Sequence, residues 1–260
     1  MTRTAALAVW YERHGRHDLP WRHHRDRWSV LVSEVMLQQT QVARVLVTWP
    51  GFIARFPDAE TMAAARVGAV ITAWGRLGYP RRARRLWEAA TLIARDGWPD
   101  DLRVLPGVGR YTAHAIRAQA DGVDVAAVEV NVHRVVQRVA GTTLGPVAAE
   151  AASVRLGRGL HGRDRLLALM DLGATVCTAR TPECSACPVR RRCATRGPLA
   201  GEVRARQAPF AGSFRQRRGQ VMAVLRAGGR VTVGELDAEA LASLVADGLA
   251  AITRGAAHLP

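Results

Sequence analysis

Residues 101–116, DLRVLPGVGRYTAHAI, decide how this chain is read. A helix end, a Pro-Gly-Val-Gly turn and a new helix starting near Arg110 follow one another directly. Gly107 and Gly109 permit backbone geometry closed to other residues, and a side chain at either would hold an approaching phosphate away. Amides at the start of the next helix can then face that phosphate, which makes Gly107, Gly109 and Arg110 candidate contacts to a nucleic-acid backbone. A plain helix-turn-helix corner would use the same residues, so the surrounding sequence has to decide.

The composition favours a polyanionic partner. The net charge is +15 over 260 residues, and all 37 basic residues are arginine, whose rigid fork matches phosphate oxygens. With 48% hydrophobic residues, no apolar run near a membrane span and no signal-like start, we expect a soluble, cytoplasmic, nucleoid-associated protein with no membrane partner. Apolar positions three and four apart mark helices over 28–49, 59–74, 81–95, 109–120, 131–139, 146–158 and 163–176, an all-α body. Residues 199–212 read as a linker. Beyond it, a basic helix, RVTV at 230–233, a second helix and a short tail resemble a small winged-helix-like unit, which binds DNA in many proteins.

All four cysteines fall in one stretch, Cys177, Cys184, Cys187 and Cys193, with six, two and five residues between them. In a non-exported chain this argues for a metal or iron-sulfur centre rather than disulfides, and spacing alone leaves zinc open. Ten arginines lie between 177 and 218, Arg190, Arg191 and Arg192 among them, against only Glu183 and Glu202. They read as a basic face for backbone phosphates.

The segment AAVEVNVHRVVQRV, 126–139, sets Glu129 two positions before Asn131, the one asparagine of the sequence. Both could simply cap the helix that follows.

Taken together, LPWR at 19–22, SEVMLQQTQV at 33–42, WGRLGYPRRARRL at 74–86, LPGVGRYTA at 105–113, VNVHRV at 130–135, MDLGATVC at 170–177 and the cysteine spacing resemble the helix-hairpin-helix DNA glycosylase superfamily, and within it the MutY-type adenine glycosylases. The resemblance implies an all-α, two-domain glycosylase fold with a [4Fe-4S] cluster on Cys177, Cys184, Cys187 and Cys193. It implies an N-terminal segment (1–22) packing on the cluster domain, a six-helix domain (23–125) holding the hairpin, and the cluster domain itself (126–198). The linker (199–212) and the basic unit (213–260) would follow.

The implied partner is double-stranded DNA with a mismatched or damaged pair, bound by a monomer, and the implied reaction removes adenine opposite 8-oxoguanine or guanine. Glu34 would protonate the leaving base. Glu129 would stabilise the positive sugar where the family has aspartate in a D-x-N-V context, with Asn131 behind it. Gln38 and Gln39 would enter the duplex near the flipped base, and Tyr79 would wedge beside the opposite guanine. Tyr111 stands where bifunctional relatives carry a Schiff-base lysine, and with no lysine in the chain that route to strand cleavage is closed except through the N-terminal amine. MutY proteins also carry a C-terminal domain resembling a nucleotide hydrolase. Residues 213–260 are too few for it, so 8-oxoguanine recognition would be weaker, or would rest on the catalytic body and the small basic unit. Two other readings stand beside this one: a thymine or uracil mismatch glycosylase, favoured by Tyr111, and a cluster-bearing DNA-binding protein without catalysis, favoured by Glu129.

Overall fold

The computed structural model describes residues 5–202 and 209–260. Twelve α-helices and a small sheet are found among them, grouped into two compact units.

The first unit comprises Met1–Leu31 and Gly109–Arg204. It holds α1 (Ala5–His14), a 3-10 turn (Pro20–Arg22), the start of α2 (Arg27–Leu37), then α7 (Arg110–Gln119), α8 (Val130–Ala140), α9 (Pro146–Leu156) and α10 (Gly162–Asp171). A π-helical turn, Leu172–Val176, carries α10 into the cysteine segment. In α8 the buried residues Val132, Val135, Val136 and Arg138 make one stripe, which packs with Leu167, Leu169, Leu172 and Val176. Gly173 lets α8 come this close, since a Cβ there would lie 2.7 Å from both Cβ and the carbonyl oxygen of Asn131. The N-terminal segment is tied in by one carboxylate. Asp171, fully buried, accepts from Arg22 Nη1 and Nη2, both at 2.7 Å, and from Arg16 N and Nε at 2.9 and 2.7 Å.

The second unit comprises Val32–Val108 and Ala205–Pro260. It contains the end of α2, then α3 (Val42–Arg55), α4 (Ala59–Ala64), α5 (Val67–Trp74) and α6 (Arg81–Asp96). Its core is aromatic: Phe52 meets Phe56 and Trp74 edge-on at 5.2 and 5.8 Å between ring centroids. The single helices expected over 28–49 and 59–74 are each broken in two. At the first break Gln39 adopts φ 52°, and Arg82 takes up carbonyls at the end of α2 that a continuing helix would have used. At the second, Ala65 and Arg66 are extended and Asp58 caps the short α4 through Thr61 N.

The C-terminal part runs α11 (Phe214–Arg226), β1 (Val231–Thr232), α12 (Ala238–Ala246), β2 (Ala251–Thr253) and β3 (Ala256–His258), with antiparallel order β1-β3-β2. Arg254 and Gly255, both at positive φ, turn the β2–β3 hairpin. This part packs on the helices of its own unit. Arg226 Nη1 donates to Gly75 O at 2.7 Å, Arg81 pairs with Asp247 at 2.6 Å, and Gly68 N donates to Pro260 O at 2.7 Å. The segment read as a linker falls partly on residues 203–208, outside the described residues, as do residues 1–4 of the N-terminal segment.

Candidate active site and nucleic-acid interface

Glu129 is the N-cap of α8, and its carboxylate is fixed on every side that the helix offers. Its Oε2 accepts from Asn131 N at 2.8 Å and Asn131 Nδ2 at 2.9 Å, and its Oε1 accepts from Val132 N at 2.9 Å. Three of a carboxylate's roughly four acceptor directions are therefore taken. Capping and chemistry are not exclusive here, because the cap holds the negative charge at a defined place beside the exposed Val130. Burial pushes the Glu129 carboxyl up, against the pull of the Asn131 and Val132 amides and the charge of Arg134.

The chain of contacts continues past Asn131. Arg134 Nη2 donates to Asn131 Oδ1 at 2.7 Å and to Gly173 O at 2.6 Å, while its Nε donates to Cys177 O at 2.7 Å. One turn further along α8, the buried Arg138 donates to Thr178 O at 2.7 Å, Ala179 O at 3.0 Å and both Glu202 oxygens, and reaches Cys177 Sγ at 3.5 Å. A continuous polar path thus joins the cysteine segment to the Glu129 carboxylate. Neither arginine stands out in a sequence so rich in them; their spacing of four puts both on one face of α8, but nothing in the sequence marks that face as the one turned to the cysteine segment.

All four cysteines are half-buried and line one cavity with Val135, Leu172, Val176 and Val189. Burial pushes the Cys177 thiol up and the Cys187 thiol up to about 11. No three His, Cys, Asp or Glu among the described residues converge as they would on a single metal ion.

Glu34 lies in the last turns of α2, 7% exposed, with Val32, Ser33, Val35 and Met36 buried around it. Gln38 and Gln39 follow at the helix end, Gln39 exposed, and Tyr79 is 41% exposed after Gly78. Tyr111 is half-buried in the first turn of α7 and packs against the core of the first unit.

At the hairpin, Gly107 has φ 85°, and a Cβ there would sit 3.3 Å from Arg85 Cβ. Gly109 caps α7, nothing lies within 4 Å of where its Cβ would be, and no side chain caps this helix. Arg110 is not simply presented to solvent: Glu150 grips its guanidinium at 2.8 and 2.6 Å.

Residues 32–154 match the model of the HhH-GPD superfamily of base excision DNA repair proteins. The adenine DNA glycosylase of Mycobacterium tuberculosis is 45% identical over 271 residues, covering 94% of this chain and 88% of that protein. That of Mycolicibacterium smegmatis is 43% identical over 266 residues, and the human enzyme 38% over 217 residues, 74% of this chain and 39% of that protein. The chain belongs to the HhH-GPD superfamily, in its adenine DNA glycosylase branch. A thermostable thymine-DNA glycosylase superposes with TM-score 0.68 at 28% identity, over 74% of this chain and 94% of that one. A non-covalent endonuclease III–DNA complex superposes with TM-score 0.64 at 21% identity, over 75% and 97%.

For a DNA repair protein the arginines then divide by what they already hold. Arg217 pairs with Asp237 and Glu239, Arg218 with Asp247, and Arg192 donates to the carbonyls of Arg155 and Leu156. Arg180, Arg190, Arg191 and Arg196 are exposed, and no acid pairs with them among the described residues. Arg215 lies over the Phe210 ring, 5.9 Å from its centroid, and Arg204 and Arg206 fall outside the described residues. We therefore expect log K for duplex DNA to fall against log salt with a slope of about −3 to −4 from this segment, at roughly 0.9 per phosphate. All ten arginines acting together would give about −9 on the same scale. Fluorescence anisotropy across a salt series, on the intact protein and on a variant with these four residues changed to Gln, measures the difference.

Proposed function

We propose that this protein is a monofunctional adenine DNA glycosylase of base excision repair, acting on adenine mispaired with 8-oxoguanine or guanine. The match to adenine DNA glycosylases along 94% of the chain carries this reading. The protein binds DNA, as its family does. The target nucleotide leaves the duplex for the reaction, because the glycosidic bond cannot be reached inside the stack.

Glu34 donates a proton to a ring nitrogen of adenine. The C1′–N bond then breaks, its electron pair leaving with the base, and the Glu129 carboxylate faces the positive charge that grows on the sugar. Water adds to C1′ and passes its proton to the Glu34 carboxylate, restoring the acid and leaving free adenine and an abasic site. Asn131 and Arg134 hold Glu129 in place, Gly107 and Gly109 admit a phosphate to the start of α7, and Arg190 and Arg191 meet the backbone. Tyr111 supplies no amine, so the strand stays intact.

The four cysteines would hold a [4Fe-4S] cluster, which supplies a structural anchor for the loop. The four thiols line one cavity with apolar side chains, and the family resemblance with their six-two-five spacing supports the cluster. The helix-strand-helix-hairpin order of residues 213–260 supports a winged-helix-like assignment for that part.

The test is a panel of duplexes with A, T or U opposite G, C or 8-oxoguanine, treated with alkali after incubation, alongside iron analysis of anaerobically purified protein. Adenine loss with an intact strand before alkali, and about four irons per chain by the cluster assignment, is the expected result. Loss of thymine alone would favour the second reading, which the likeness to a thymine-DNA glycosylase keeps in view.

Glu129 variants test the sugar-stabilising role. Glu129→Ala should cost at least about a hundredfold in single-turnover excision, as loss of one transition-state contact does. Loss of the cap should cost only about 1 kcal/mol of stability. Glu129→Asp keeps a cap of the same kind and should retain most of both. Because the carboxylate must be ionised to act and its pKa is raised, the wild-type rate should begin to fall, as pH drops, at a higher pH than an ordinary glutamate would dictate. An Ala variant with full rate would return Glu129 to a purely structural cap.

A further inference from the structure

Two exposed side chains in the second unit stand on backbone that L residues rarely adopt. Gln39 has φ 52° and Tyr79 has φ 47°, and Tyr79 follows Gly78 at 80°. Such conformations persist only where neighbouring structure imposes them, and they gather at functional segments. Here one guanidinium reaches both turns.

Arg82, at the second position of α6, is buried beneath the two turns. Its Nη1 donates to Val35 O, Met36 O and Gln38 O at 2.7, 2.9 and 2.6 Å. Its Nη2 donates to Thr40 Oγ1, Leu77 O and Gly78 O at 2.8, 3.3 and 3.0 Å. The plane of the same group lies over the rings of Trp74 and Tyr79, 5.2 and 5.6 Å from their centroids. Trp74 Nε1 also donates to Gly78 O at 3.1 Å, so the second turn is held from two sides.

We infer that Arg82 is a positioning residue, one that locks the turns of Gln39 and Tyr79 together so that the two side chains reach the DNA stack as a preordered pair. The inference rests on the glycosylase reading above. A planar fork with donors on two arms can serve both turns at once; a lysine ammonium, with three donors at one point, serves one. Two flexible loops carrying the same side chains would have to order on contact with DNA. Two loops held by one buried group arrive ordered, and the binding cost of ordering them falls.

The test separates this role from a general contribution to folding. A duplex carrying 2-aminopurine opposite guanine brightens when that base is unstacked, and stopped-flow mixing reads the rate without any excision. Arg82→Lys should slow unstacking at least about tenfold, within the roughly hundredfold that a misplacement near 1 Å can cost. Thr40→Val, which removes one acceptor and leaves Arg82 in place, should slow it in the same direction by less, with melting temperature followed in parallel. In a Gln39→Ala/Tyr79→Ala background, Arg82→Lys should add less than about a twofold further change, because effects through a shared element do not add. Wild-type unstacking rates in both the Lys and Val variants would overturn the inference. So would an equal slowing in the background that lacks both probes, since Arg82 would then act on the fold and not through them. If the wild type unstacks 2-aminopurine yet releases adenine from no duplex, the glycosylase reading fails while the Arg82 comparison still decides.

Discussion

Replacing Glu34 by glutamine should reduce adenine release by about 100-fold to 10,000-fold, the range over which a positioned general acid contributes. Adenine is a poor leaving group as an anion, so the bond yields only when the departing base takes a proton as the bond stretches. The amide of glutamine has the carboxyl's shape and size but no acidic proton. Because Glu34 sits 7% exposed among buried residues of α2, the isosteric change keeps that packing, and Kd for the mismatched duplex and the melting temperature should stay near wild type. Single-turnover excision on adenine opposite 8-oxoguanine, with Kd from anisotropy, is the measurement. A Gln variant that keeps a tenth or more of the wild-type rate by this scale would remove Glu34 from the proton-donor role. Set beside Glu129→Ala, it also separates the two carboxylates: one is required for its proton, the other for its charge.

Asp171→Ala should destabilise the first unit by about 3–5 kcal/mol, the cost of leaving a buried partner charge uncompensated. Arg22 is only 5% exposed at its side chain, and the remaining partner, Arg16, is also cationic. In a chain of this size that corresponds to a fall of about 6–20 °C in melting temperature. Burial would push the Asp171 carboxyl up, but the hydrogen bonds and charge of Arg22, helped by Arg16, outweigh it and hold it below the usual carboxylate range. A lowered native pKa contributes stability that is present above the unfolded value and is lost as pH falls through the native one. Wild-type protein should therefore lose stability on acidification below about pH 4, and the Ala variant should show a flatter acid limb. Thermal melts at neutral pH and across an acid series test both. Equal melting temperatures would mean that residues 5–31 are held to the unit by apolar contacts such as Leu7 and Tyr11 alone.

Much of this was legible in the sequence because its causes are local. The 3.6-residue period of VNVHRVVQRV gives α8 its buried stripe, and Glu129 caps that helix through amides two and three positions away. Gly107 adopts positive φ in a turn that the letters PGVG announce, whereas the hairpin of residues 251–258, which turns on Arg254-Gly255, reads in the sequence only as a short tail. The spacing of the cysteines brings all four to one cavity. The two breaks in the expected helices were not legible in this way: neither GlnGlnThrGln nor AlaArg carries a strong stop signal, the periodic pattern runs straight through both, and at the first it is the distant Arg82 that takes up the helix-end carbonyls.

The arginines are where local reading ended. Arg82, Arg138, Arg190 and Arg217 are the same letter in a chain that uses no other strong base, yet one staples two turns, one grips the cysteine segment, one faces solvent and one pairs with Asp237 and Glu239. Asp171 and Arg22 lie 149 positions apart, and Arg82 reaches carbonyls 44 to 47 positions earlier. Helix period, caps and turn chemistry act over a few residues and so were fixed by the chain itself. Which charges are buried and paired depends on what the packed helices bring beside them, and a side chain's charge carries no mark of that neighbour until the fold has placed it.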